Sequence, residues 1–238
     1  MLDWIAFDAD DTLWKNEEYY LQGRAEFLEI LMEYGLEADD IHKFDRFEVE
    51  NIRYFGYGVM SFILSMIEIA IKLTNETIHP RDIQRIIQLG KEMLTHEVEV
   101  YPGVRELLDE LVGKIPLMLI TKGDLQHQRN KVRDSGLGGY FQVLEVVSDK
   151  SPRVYQEVLE RHQVQPARFL MIGNSLRSDV LPVLELGCWG LHLADHPTWS
   201  HEDDQLAEGA FPRYLEAAEI TDVLGVLESR GLLGDSSS

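Results

Sequence analysis

The sequence predicts an α/β fold, a doubly wound parallel sheet with an inserted all-helical domain. Three observations predict it. From Tyr101 onward, short apolar runs alternate with helix-period segments, the pattern of strands joined by helical crossovers. Between residues 15 and 97 the periods are helical and no strand pattern interrupts them. The chain opens with a short apolar run, Trp4 to Phe7, that stops at Asp8-Ala9-Asp10-Asp11-Thr12. The expected domains are a core of residues 1–14 and 98–238 and a helical domain of residues 15–97.

Each element has a local reason. Trp4 to Phe7 reads as a buried strand, which brings Asp8 and Asp10 to its C-terminal end. Side chains alternate along an extended segment, so these two acids are expected to point the same way. Glu17 to Tyr34 has helical periodicity, and Gly35 can end that helix. Further helices are expected over Asp39 to Tyr54, Val59 to Leu73 and Pro80 to His96, with Pro80 suited to a first turn. In the third of these, Ser61, Ser65, Glu68 and Lys72 make one narrow polar stripe on a mostly buried helix. Pro102 and Gly103 start a helix that ends near Gly113, and Ile115 to Ile120 is a buried strand. Asp124 to Ser135 is helical, Val143 to Val147 a strand, and Ser151 caps a helix with Pro152 in its first turn. Phe169 to Ile172 is the next strand. Pro182 is tolerated only in a first turn, so the following helix should start near Ser178 or Asp179 and leave Asn174 to Arg177 as a loop. Cys188 to Leu193 and Tyr214 to Ala217 are short strands with a polar loop between them, and Thr221 to Ser229 is the last helix. The chain from Leu232 onward is expected to fray.

Composition narrows the function. The 238 residues are 45% hydrophobic and 27% charged, which suits a folded chain with a substantial core. The formal net charge of −20 disfavours nucleic acid and anionic membrane surfaces, both of which are bound through Lys and Arg. The single cysteine, Cys188, excludes an intrachain disulfide and reads as a buried, inert thiol. No basic region followed by an apolar run opens the chain, and the most apolar stretch is too short and interrupted to span a membrane, so a cytoplasmic location is expected.

Four strand ends present polar residues: Asp8 and Asp10, then Thr121, then Lys150, then Asn174 and Asp179. Parallel strands bring these ends to one edge of the sheet, where ligands of open α/β sheets bind. The set suits phosphoryl transfer. A carboxylate can attack phosphorus, and a second can protonate the leaving oxygen and then activate water. Mg²⁺ takes a few oxygen ligands together with substrate phosphate, while a hydroxyl and an ammonium hold the phosphoryl oxygens.

In this ordered set the chain resembles the haloacid dehalogenase-like superfamily, most members of which are Mg²⁺-dependent phosphatases. Asp8, Asp10 and Thr12 match its Asp-x-Asp-x-Thr motif. Thr121 matches the strand-terminal Thr or Ser, Lys150 the Lys ahead of a helix, and Gly173 to Asp179 the acidic loop after a Gly. The inserted helices resemble the type-one cap. The resemblance implies that Asp8 is nucleophile and metal ligand, and that Asp10 is general acid/base with its carbonyl on the metal. It further implies that Thr121 and Lys150 bind phosphate and that Asp179 completes a Mg²⁺ site. Asn174 stands where the family commonly has Asp; its amide oxygen can coordinate the ion or hold a ligating water. The expected substrate is a small phosphorylated metabolite cleaved through a phosphoaspartate on Asp8. Oligomeric state is unreadable.

Other readings stay open. With Mg²⁺ and Lys150 as the cations, a phosphate dianion plus ionised Asp8 and Asp179 leaves an excess of negative charge. Lys122 could offset it, or could be a solvated lysine. Arg53, Tyr54 and Tyr57 are specificity candidates or a packed aromatic helix joint. His192 and His196 have a metal-compatible spacing but too few companions for zinc. A 2-haloacid dehalogenase needs neither Asp10 nor a metal. A phosphomutase would have to admit a second phosphate group, and a binding protein would keep the fold without turnover.

Overall fold

The computed structural model describes residues 1–37, 41–202, 204 and 211–233. It divides into two compact units: Met1–Glu17, Val98–Lys122 and Gln128–Ser238 in one, Glu18–Glu97 and Gly123–His127 in the other.

In the first unit six strands form one parallel sheet. They are β1 (Trp4–Phe7), β2 (Leu117–Lys122), β3 (Val143–Val147), β4 (Phe169–Gly173), β5 (Trp189–Leu193) and β6 (Tyr214–Ala217), in the order β3-β2-β1-β4-β5-β6. From β1 the chain winds outward one way through β2 and β3 and the other way through β4 to β6. The winding reverses at β1, so a crevice opens beyond the C-terminal ends of β1, β2 and β4. Both faces of the sheet are covered, because side chains alternate. Ile5, Phe7, Leu117, Leu119, Leu170 and Ile172 pack in one core layer. Ala6, Met118, Ile120, Phe169 and Met171 pack in the other, with Tyr155 and Val158 of the helix Pro152–Arg161. Each such side chain withdrawn from water contributes about 1.5–3 kcal/mol, which is why these strands read as continuous apolar runs.

The second unit holds four helices, α1 (Glu17–Met32), α2 (Ile41–Phe55), α3 (Val59–Leu73) and α4 (Pro80–Leu94). Their core gathers Phe27, Phe44, Phe62, Met66, Ile69 and Ile86. The expected start of α2 at Asp39 lies outside the described residues. The polar stripe of α3 is corrected: Ser61 and Ser65 are buried, whereas Met60 and Leu64 are exposed. Ser65 donates to the Ser61 carbonyl, and Asn51 donates to Ser65 and to Glu68, so the two serines are turned away from water while Glu68 and Lys72 keep side chains 40% and 50% exposed. Tyr54 and Phe55 are exposed and do not form a packed joint; Arg53 is exposed as well.

Local signals hold elsewhere. Gly103 has φ 83° and precedes α5 (Val104–Leu111), a left-handed backbone angle that a glycine adopts freely. The helix α6 (Leu125–Ser135) follows β2, and Ser151 caps α7 (Pro152–Arg161) by accepting from the Val154 N–H. The turn after β4 starts earlier than Pro182 suggests. Ser175 accepts from the Ser178 N–H, and a wide helical turn runs over Leu176–Val180 before α8 (Leu181–Glu185). Pro182 still sits in the first turn of α8, but Leu176 and Arg177 are helical rather than loop. The last helix, α9, spans Val223–Ser229. Cys188 is fully buried, and burial pushes its thiol up to about 12. Among the described residues no helix is long and apolar enough to cross a membrane. Fraying from Leu232 is corrected: Leu232 is buried and its carbonyl accepts from the Leu2 N–H at 3.2 Å, while residues 234–238 lie outside the described residues.

Candidate active site

The site is built at the mouth of β1. The strand ends at Phe7, and the chain then folds into a tight turn in which the Leu13 N–H donates to the Ala9 carbonyl at 2.8 Å and the Asp11 N–H to the Trp14 carbonyl at 2.7 Å. Asp11 adopts φ 60°. Its carboxylate accepts from the N–H groups of Asn16 and Glu17 and so caps the start of α1. Burial pushes the Asp11 carboxyl up to about 7, against those two donors.

Asp8 is buried at this mouth. The Lys150 ammonium donates to Asp8 Oδ1, and to Asp179 Oδ1 at 2.6 Å. Lys150 is itself buried, so one cation is shared by two carboxylates in a water-poor place. Burial raises the Asp8 carboxyl to about 7; Lys150 opposes that rise and Asp179 adds to it. Burial alone would lower the Lys150 pKa, but Asp179 and Asp8 together hold the ammonium above its ordinary range.

Asp179 reaches this position because residue 173 is a glycine. A Cβ on Gly173 would lie 2.2 Å from Asp179 Oδ2, inside contact distance. The same oxygen accepts from the Ser175 N–H at 3.1 Å. Asn174 is oriented by the loop beyond β5: its Nδ2 donates to the Pro197 carbonyl at 2.6 Å and to Thr198 Oγ1. That leaves Asn174 Oδ1 facing the Thr12 hydroxyl at 3.2 Å, and Thr12 also lies 3.2 Å from Asp8 Oδ2. Thr121 is buried at the end of β2, its hydroxyl 3.4 Å from the Lys122 carbonyl.

Two expectations are corrected. Asp8 and Asp10 do not converge on one partner, because the extended alternation stops at Phe7. Asp10 accepts from Trp14 Nε1 at 2.6 Å, Gln128 Nε2 at 2.9 Å and Lys131 Nζ at 2.6 Å. Burial opposes charge on Asp10, but Lys131 and these hydrogen bonds outweigh it and hold the carboxyl below its ordinary range. Lys122 is neither solvated nor a spare positive charge: it pairs with Glu202 and donates to Ser178 Oγ at 2.9 Å.

Several residues at the site carry no motif. Gln128 and Lys131 stand three apart on α6, a spacing that puts them on one face without saying which face. Glu202 accepts from Ser175 as well as Lys122. His192 and His196 do not form a metal pair. A carbonyl oxygen only accepts, so each ring donates, His192 Nε2 to Asn174 at 3.1 Å and His196 Nδ1 to Asp11 at 2.8 Å. Both histidines thus support the backbone of the site.

The available donors are oxygens: the carboxylates of Asp8 and Asp179 and the amide oxygen of Asn174. Hard oxygen donors match Mg²⁺, which needs only one or two carboxylates beside phosphate and water; zinc favours His and Cys. Among the described residues no three His, Cys, Asp or Glu side chains group to hold a metal. The excess of two carboxylates over one ammonium is a charge imbalance that a divalent cation would offset.

Comparison with known proteins adds to this geometry. A family model for a hydrolase, described as haloacid dehalogenase-like hydrolase, matches residues 2–187. The crystal structure of a haloacid dehalogenase-like family hydrolase from Xanthomonas campestris is similar over 97% of this chain and 91% of that one, with a TM-score of 0.84 and 41% identity. N-acylneuraminate-9-phosphatase of Rattus norvegicus is 24% identical over 194 residues, 77% of this chain and 78% of that protein. Pyrimidine 5'-nucleotidase YjjG of Escherichia coli is 25% identical over 228 residues, 86% of this chain and 97% of that protein.

Proposed function

The chain belongs to the haloacid dehalogenase-like hydrolase family, and we propose that it is a Mg²⁺-dependent phosphatase that hydrolyses a small-molecule phosphomonoester through a phosphoaspartate on Asp8. The observation that carries this reading is the single Lys150 ammonium bonded to both Asp8 and Asp179. It restrains one Asp8 oxygen while keeping cationic charge where phosphoryl oxygens would lie. The phosphatase relatives support a phosphate ester as substrate.

Asp8, Asp179, Asn174 and the Asp10 carbonyl would hold Mg²⁺. When bound, the ion supplies positive charge that offsets the charge of nucleophile and phosphate. Asp8 attacks phosphorus, Lys150 and Thr121 hold phosphoryl oxygens, and Asp10, which takes up a proton from solvent as the anionic ester binds, gives that proton to the departing oxygen. Asp10 then takes a proton from water, which attacks the acyl phosphate and frees Asp8.

The test is hydrolysis of 4-nitrophenyl phosphate together with a panel of sugar phosphates, nucleotides and small acid phosphates. Turnover should require Mg²⁺, stop with a chelator, and disappear in Asp8→Asn while that variant stays folded. Metal-independent halide release from a 2-haloacid would overturn the reading in favour of a dehalogenase. Folded protein without turnover across the panel would favour a binding protein.

A further inference from the structure

We propose that Lys131 and Gln128 are positioning residues for Asp10: together they aim its carboxyl group for proton transfer to the leaving oxygen. The inference rests on the phosphatase reading and deepens it.

The argument is geometric. Asp10 lies within a tight turn rather than on a strand, so the sheet does not fix its side chain. Three donors do. Lys131 Nζ and Trp14 Nε1 both reach Oδ1 at 2.6 Å, and Gln128 Nε2 reaches Oδ2 at 2.9 Å. Trp14 is fully buried and Gln128 nearly so, which makes both rigid anchors. The Gln128 amide is itself fixed, since Nε2 also donates to the Lys122 carbonyl at 2.7 Å. Its Oε1 has no hydrogen-bond partner among the described residues, so no opposing bond pulls the amide away. Lys131 is held in turn by Asn16 Oδ1 at 3.2 Å. Gln128 thus ties Asp10 to the residue directly after Thr121, and Lys131 ties it to Asn16. Without them, among the described residues only Trp14, on one oxygen, would orient the carboxyl. A donor that is misaimed loses the part of catalysis that depends on protonating the leaving group, and that part alone.

A series of substituted phenyl phosphates separates this role from a structural one. The members share shape and binding but differ in how much proton the leaving phenolate needs. The quantity to read is kcat/KM, which covers steps through departure of the phenol and ignores later hydrolysis of the acyl phosphate. Wild-type protein should show a shallow dependence on leaving-group basicity. Loss of the Lys131 ammonium also favours the protonated Asp10 carboxyl, so the slope is read across pH; in Lys131→Met it should steepen at every pH, with about 10- to 100-fold loss on phenyl phosphate and little loss on 4-nitrophenyl phosphate. Lys131→Arg should restore the shallow slope, and Gln128→Leu should steepen it independently should Lys131→Met fold poorly. Equal losses across the series, or none, overturn the inference while leaving the phosphatase reading intact. Wild-type protein that hydrolyses no member, and no ester of the wider panel, overturns both.

Discussion

Thr12 and Asn174 are bonded to each other twice: the Asn174 N–H donates to the Thr12 hydroxyl, and that hydroxyl lies 3.2 Å from the Asn174 side-chain oxygen. The pair ties the turn after β1 to the loop after β4 across 162 positions of sequence. The hydroxyl has one proton and two acceptors at 3.2 Å, Asp8 Oδ2 and Asn174 Oδ1, so it can serve either as charge at the site changes. Thr12→Val keeps the shape and removes the hydroxyl. A buried N–H on Asn174 then loses its acceptor, which costs about 1–3 kcal/mol. The urea midpoint should fall accordingly, and a variant as stable as wild type would refute this account of the junction.

Gly173→Ala should be the most disruptive single methyl at the site. The added Cβ would overlap the Asp179 carboxylate, so Asp179 must move away from Lys150. Hydrolysis and Mg²⁺ dependence should both weaken by at least tenfold. An unchanged Mg²⁺ titration would show that Asp179 does not hold the ion.

Asn174→Asp should separate metal binding from stability. The new charge joins Asp8 and Asp179, so half-saturation by Mg²⁺ should fall severalfold. The variant also loses the Nδ2 donor to the Pro197 carbonyl and sets an acceptor against an acceptor, which costs about 1–3 kcal/mol without metal. The metal-free variant should therefore melt below wild type and gain more from Mg²⁺ than wild type does. Weaker Mg²⁺ binding would refute an ion beside residue 174.

Glu145 on β3 gives a pH signature away from the chemistry. It accepts from Arg161 at 2.6 Å and His162 at 2.7 Å at the end of α7. Partial burial works against its charge, but His162 and Arg161 more than offset this and hold the carboxyl below its ordinary value of 4.5. A depressed folded value means the stabilisation is present above the unfolded pKa and lost as pH falls through the folded one. Glu145→Gln should lower stability by at most about 1 kcal/mol at pH 7, and the difference should vanish as the solution is acidified past that range. A difference that grows with acid would contradict the pairing.

The sequence by itself determined the order of elements and the edge at which polar residues gather. Apolar runs such as Leu117 to Ile120 are buried on both faces, and parallel crossovers return every strand in the same direction, so the ends at Asp8, Thr121 and Asn174 share one edge. Spacing alone carries that much, because period two and period 3.6 are local properties of the backbone. The partner of each polar group was decided only by tertiary structure. Asp10 turns to Lys131 and Gln128, Lys122 to Glu202, and Ser65 of α3 to Asn51 rather than to water. Each such choice depends on how far a helix is rotated about its axis and which distant loop lies within hydrogen-bonding reach. Those are packing outcomes summed over the whole core, and no short window of residues contains them.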